Sequence, residues 1–132
     1  MSAGFASGRL PEVPDAIAPD GSEIRFVQTT DRASVVHCTL PAGATTVAVR
    51  HRTVEEIWFF LTGSGEVWRA EGDTEEVLRV EPASSLTIPL GCCFQFRSLG
   101  DTALTFLIAT IPPWPGHEEA VRVEGCWTPS IS

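Results

Sequence analysis

The residues of this chain best suited to chemistry lie between Gly43 and Gly63, in the stretch GATTVAVRHRTVEEIWFFLTG. His51 and Glu56 stand there with four residues between them. A turn joining two adjacent strands would aim both side chains at one point. A neutral imidazole and a carboxylate so placed suit two kinds of work. They can ligate a divalent cation, or they can act as a general acid–base pair in proton abstraction or isomerisation. Val49, two residues before His51, shares its face of an extended strand and offers no donor atom.

The elements that must hold this pair are legible as short β-rich runs separated by turn residues. The runs are Glu23–Gln28, Ser34–Leu40, Thr45–His51, Glu55–Thr62, Gly65–Ala70, Glu75–Val80, Ser85–Pro89, Cys93–Ser98, Ala103–Ile111 and Ala120–Val123. Between them fall turn formers such as Leu40-Pro-Ala-Gly43, Thr62-Gly-Ser-Gly65 and Pro89-Leu-Gly91. This spacing predicts an all-β sandwich or closed barrel, and no window carries a helical period. Residues 1–21, rich in Ala, Gly and Pro, read as an irregular N-terminal arm, and residues 22–132 as one β domain. The tail Ile111-Pro-Pro-Trp-Pro-Gly116 cannot continue a central strand, because proline donates nothing to the ladder. It is expected to cross one face or the mouth.

Alternation along 55–62 puts Glu56, Trp58 and Phe60 on one face and Ile57, Phe59 and Leu61 on the other. The same parity turns Phe94 and Phe96 inward, and Phe106 joins them. Val49, Trp58, Phe60, Phe94, Phe96 and Phe106 are therefore the expected lining of a ligand pocket, or else the filling of a small barrel core. The apolar outer face of 55–62 calls for a cover, either the N-terminal arm or a second copy of the chain, with a homodimer preferred.

At 132 residues the chain is long enough for one self-supporting domain. Its net charge of −8, with nine scattered Arg and no Lys, argues against nucleic acid as a partner. No apolar run approaches the roughly 18 residues of a membrane span, and the N-terminus lacks a basic segment followed by an apolar one. Cys38, Cys92, Cys93 and Cys126 form no CxxC pair and read as reduced cytosolic thiols. A cytoplasmic protein is the expectation.

The spacing Gly43-x5-Val49-x-His51-x4-Glu56-x6-Gly63 resembles the first motif of the cupin family, with Val49 in the place of its first His. A second cupin motif is visible around Pro89-Leu-Gly91, with Ala83 where the family has its leading Gly, Phe94 where it has His and Ser98 where it has Asn. The resemblance covers about residues 24–111 and implies a double-stranded β-helix, or jelly-roll barrel. It also implies a metal site for iron, manganese, nickel or zinc built from three His and one Glu. Of those, His51 and Glu56 remain, and a firmly held metal needs at least three protein ligands. Candidates for the third are Cys92 or Cys93 through a bulge, Gln95, His37 and His117. Parity turns Cys93 and Gln95 away, His37 suits a hydrogen-bonded strand position and His117 suits solvent. The donors that remain favour a site without a metal.

Cupins serve as enzymes, binding proteins and storage proteins, so the fold alone selects no function. Two readings stand. One is an enzyme on a small organic substrate using His51 and Glu56, the other a non-catalytic ligand-binding or sensor domain without metal.

Overall fold

The computed structural model describes residues 4–131. Runs of β-branched and aromatic residues, cut by glycine and proline, become strands wherever one face can be buried. In chain order these are β1 (Ala16–Ile17), β2 (Glu23–Thr29), β3 (Ser34–Leu40), β4 (Val49–His51), β5 (Glu55–Thr62), β6 (Gly65–Glu71), β7 (Thr74–Val80), β8 (Ser85–Ile88), β9 (Cys93–Ser98), β10 (Leu104–Ile111) and β11 (Ala120–Arg122). One 3-10 turn, His117–Glu119, precedes the last strand. The strands form a six-stranded sheet in the order β1-β2-β3-β10-β5-β8 and a five-stranded sheet in the order β11-β4-β9-β6-β7. All pairs are antiparallel. This is the jelly-roll architecture that the sequence implied.

The core lies between the sheets and is built from Trp58, Phe60, Phe94, Phe96, Phe106, Leu40, Leu104 and their neighbours. Alternation of buried and exposed positions along β5 from Glu55 to Phe60, and of buried and half-buried ones along β10, produces it. β9 departs from alternation because Gln95, on its outer side, is also buried. Its amide carbonyl accepts the backbone N–H groups of Cys126 and Trp127, and its NH2 donates to the carbonyls of Thr46 and Trp127. The C-terminal tail is thereby clamped over that strand.

Most strand limits fall within one residue of expectation, and two expected segments differ by more. The run Thr45–His51 is a ladder strand only from Val49 onward, with an isolated bridge at Thr45. Before Val49 the chain finds other partners: Thr46 N–H donates to the Phe96 carbonyl, and Val47 N–H to the Asp20 carbonyl. The N-terminal arm is not wholly irregular, since Ala16 and Ile17 pair with Ile24 and Glu23.

Turn geometry follows the motif spacing closely. Gly63 has φ of 80°, and a Cβ there would sit 2.4 Å from the Ala103 carbonyl oxygen. Ala83, where the cupin pattern has glycine, keeps the left-handed conformation at φ 75°. An L-residue holds it at a cost of about 1–2 kcal/mol.

Candidate functional site

The site is assembled by register. Val49 on β4 lies opposite Phe94 on β9, so two apolar side chains face each other across one strand pair. His51 ends β4 and pairs with Ala120 on β11. Glu56 on β5 pairs with Thr110 on β10 on one side and with Ile88 on β8 on the other. The turn from His51 to Glu56 is gripped by Glu119. Its carboxylate accepts the Thr53 N–H, the Thr53 hydroxyl and the Val54 N–H at 2.6, 2.6 and 2.9 Å. These donors hold Glu119 ionised: burial alone would raise its pKa, but the hydrogen bonds outweigh burial and lower it.

These elements enclose a cavity of about 240 Å3. Its walls include Asp20, His51, Glu56, Trp58, Phe94 and Trp114, with Val49, Ile108 and Thr110 beside them. Trp114, from the proline-rich tail, places its ring 5.1 Å from that of His51, edge to face, and Phe94 does the same from the other strand. The Trp114 N–H donates to Ser34 Oγ at 3.1 Å, which anchors the tail beside the cavity.

Inside the cavity, both oxygens of Glu56 are occupied. Trp58 Nε1–H donates to Oε1 at 3.0 Å and the Thr110 hydroxyl to Oε2 at 2.9 Å. His51 Nδ1 lies 3.9 Å from Glu56 Oε1, too far for a hydrogen bond, and has no other partner. Burial pushes Glu56 up to about 7, against the lowering effect of its two donors and with smaller upward contributions from Asp20 and Glu119. Burial likewise pulls His51 down to about 4, only partly offset by Glu119. Near neutral pH the imidazole is uncharged and Glu56 holds a proton far more readily than an ordinary carboxyl group. The contact is thus two poorly solvated groups facing each other, not an ion pair.

Several residues expected at the pocket lie elsewhere. Phe60, Phe96 and Phe106 are packed in the core and do not line the cavity, whereas Val49, Trp58 and Phe94 do. Of the candidates for a third ligand, Gln95 is spent on the C-terminal tail and His37 faces Leu107 and Arg25 across the neighbouring strands. Cys92 and Cys93 lie outside the cavity wall. His117 is exposed, as its place after the proline tail suggested, but it borders the cavity. Among the described residues, no group of three or more His, Cys, Asp or Glu is arranged to hold a metal ion. Val49 and Phe94 offer no donor atom, and His51 and Glu56 alone fall short of the three protein ligands that a firmly held divalent cation needs, so this donor set does not fit one.

Asp20, Thr110 and Trp114 were not anticipated at the site. Thr110 extends the inward parity of Phe106 and Ile108, so the sequence did carry its signal. Asp20 carried none, since it belongs to an Asp-Gly-Ser turn that ordinarily faces water. Here it is buried and accepts Ser22 N–H and Oγ–H at 2.9 and 2.6 Å.

The architecture is a jelly roll of the cupin type, with a cavity beside His51 and Glu56. No protein-family model matches the chain. An uncharacterised protein of Methanocaldococcus jannaschii, MJ1618, is 26% identical over 113 residues, covering 82% of this chain and 86% of that protein. Among solved structures, the capsular polysaccharide assembling protein CapF of Staphylococcus aureus superposes with a TM-score of 0.71 at 21% identity, over 90% of this chain. The chain spans only 35% of CapF. KdgF from Halomonas sp. matches over 80% of this chain and 88% of its own, with a TM-score of 0.62 at 19% identity. Oxalate decarboxylase of Bacillus subtilis, a protein with Mn(II) centres, matches with a TM-score of 0.69 at 14% identity, over 85% of this chain and 30% of its own. All three are cupin-fold proteins, and at these identities the likeness establishes the fold alone.

Proposed function

We propose that this protein binds a small organic molecule in the cavity beside His51 and Glu56, without requiring a metal. The observation that carries this reading is the cavity itself. Its wall is mostly apolar and aromatic, with a few buried polar groups converging on one space, which is the usual make-up of a small-molecule site. Val49, Trp58 and Phe94 supply the apolar wall, and His51 and Glu56 supply the polar end. A fragment library screened by thermal shift on chelator-treated protein tests it. Binders raise the melting temperature by mass action on the folded state, and Val49→Trp, which fills the cavity, removes the shifts. Shifts that survive Val49→Trp, or that require added metal, contradict the reading.

A second reading, an enzyme working by proton transfer, is favoured by the protonation of the pair. A carboxyl group poised near pH 7 beside a neutral imidazole supplies an acid and a base at the operating pH. Glu56, in its ionised form, would take a proton from a bound ligand and return it, with neutral His51 holding the ligand by a hydrogen bond. Deuterium exchange into a bound ligand's acidic C–H in D2O, lost in Glu56→Gln, is the expected signature. Absence of exchange into every bound ligand removes this reading and leaves the binding domain.

We also place the protein in the cytosol as a homodimer. Ile57 and Phe59 are 52% and 46% exposed on the outer face of β5, and the described part of the N-terminal arm leaves them uncovered. No helix among the described residues is long and apolar enough to cross a membrane. Sedimentation of wild type and Phe59→Lys tests the dimer: wild type as a dimer and the variant as a monomer is the expected result, and a monomeric wild type contradicts it.

A further inference from the structure

We propose that the cavity selects a small organic cation, an amine carried on an apolar or aromatic body, and rejects carboxylates and other anions. This rests on the small-molecule reading above and adds the charge class of the ligand. Two carboxyl side chains, Asp20 and Glu56, line the cavity, and no Arg or Lys does. The hydrogen-bond partners of both are neutral. Asp20 is held by the Ser22 backbone and hydroxyl, and Glu56 by the Trp58 indole and the Thr110 hydroxyl.

The nearby guanidinium of Arg52 is turned to the Glu118 carbonyl, outside the cavity wall. Two buried acids therefore share one space with no guanidinium or ammonium group on its wall, and the exposed His117 stands at its border. Buried charge of this kind is stabilised when a partner of opposite sign enters with it.

A second, independent feature points to an occupant. His51 is 5% exposed, lines the same cavity and has an Nδ1 that nothing in the protein satisfies. Buried polar atoms without a partner are uncommon, and this one faces open space that a bound molecule would fill. The remaining wall offers the rings of Phe26, Trp58, Phe94 and Trp114. Aromatic faces attract an ammonium group by their quadrupole, more strongly when water is excluded. A carboxylate entering the same space would lose its hydration and meet two acids, with no Arg or Lys on the wall to pair with it. The volume of 240 Å3 corresponds to roughly eight waters at about 30 Å3 each, enough for a one-ring amine.

The test is calorimetric titration of the full chain with benzylamine, benzyl alcohol and benzoate, which are alike in size and differ in charge. Benzylamine is expected to bind about tenfold more tightly than benzyl alcohol, the equivalent of one buried cation–aromatic and carboxylate contact, and benzoate not to bind. Glu56→Gln should weaken benzylamine by about tenfold and leave benzyl alcohol within about twofold. Asp20→Asn supplies the same comparison should Glu56→Gln fail to fold. Benzyl alcohol or benzoate binding as tightly as benzylamine, in a manner abolished by Val49→Trp, overturns the charge selection while leaving the small-molecule reading intact. Failure of all three to bind overturns the proposal as well, and the fragment screen then decides the small-molecule reading separately.

Discussion

Strands β5, β9 and β10 each run past a filled region and an open region of one interior, and the change comes within a few residues on every strand. In the filled region Phe60 and Phe96 close on Phe106 with ring centroids 4.6 and 5.3 Å apart. In the open region the same strands present Glu56, Phe94 and Thr110 to a cavity. Trp58 stands at the border, its ring 4.7 Å from Phe106 and its indole N–H on Glu56. Both regions obey the same inward parity. What separates them is side-chain volume and polarity at single positions, with Val49, Glu56 and Thr110 in one and interlocking rings in the other. The filled region holds the fold together, and the open region trades packing for a place to bind.

The sharpest way to break this comparison is to remove bulk from each region in turn. Phe106→Ala opens a void among closely packed rings and is expected to destabilise by about 3–5 kcal/mol in chemical denaturation. Val49→Leu adds a methylene beside existing free space and should change stability by less than about 1 kcal/mol. Equal losses in the two variants would mean that the open region is packed like the core.

The second test uses charge. Glu56 has a folded pKa raised to about 7 from an ordinary 4.5. The stability it contributes is complete below pH 4.5 and is lost as pH rises to about 7. Glu56→Gln, which does not titrate, should therefore gain on wild type between those pH values, by roughly 1–3 kcal/mol at pH 8. His51 acts in the opposite direction: its folded pKa of about 4 lies below the ordinary 6.5, so stability falls as pH drops through that window. Parallel pH profiles for wild type and Glu56→Gln would show that Glu56 is better solvated than its burial implies.

The smallest effect concerns the turn before β8. Ala83→Gly relieves a left-handed conformation and is expected to stabilise by up to about 1 kcal/mol, the relief being partly cancelled by the greater freedom of glycine when unfolded. A loss of melting temperature in this variant would contradict the reading of Ala83 as a strained stand-in for glycine.

The architecture was largely legible in the sequence because the information is local and repetitive. Alternation along 55–62, with turn residues at Gly43, Gly63 and Gly91, is enough to place strands and assign a face, while their order in the two sheets comes from the assembled fold. The site was legible in part. His51, Glu56, Val49, Trp58 and Phe94 were placed by motif spacing and parity, and the structure brings them to one cavity. Parity reports the face of a strand but not the depth along the barrel, so Phe60, Phe96 and Phe106 were grouped with the cavity although they fill the other region. Asp20 and Glu119 were invisible because their partners, Ser22 for one and Thr53 and Val54 for the other, come from turns whose placement depends on the assembled fold.

The four tryptophans allow the central claim to be tested directly. Trp58 and Trp114 line the cavity, whereas the Trp68 indole N–H is bound to Glu75 and the Trp127 ring packs on Arg97. Indole N–H resonances of metal-free protein, followed by NMR while benzylamine is added, should shift for Trp58 and Trp114 and stay fixed for Trp68 and Trp127. Uniform small shifts, or movement confined to Trp68 and Trp127, would contradict a ligand site beside His51 and Glu56.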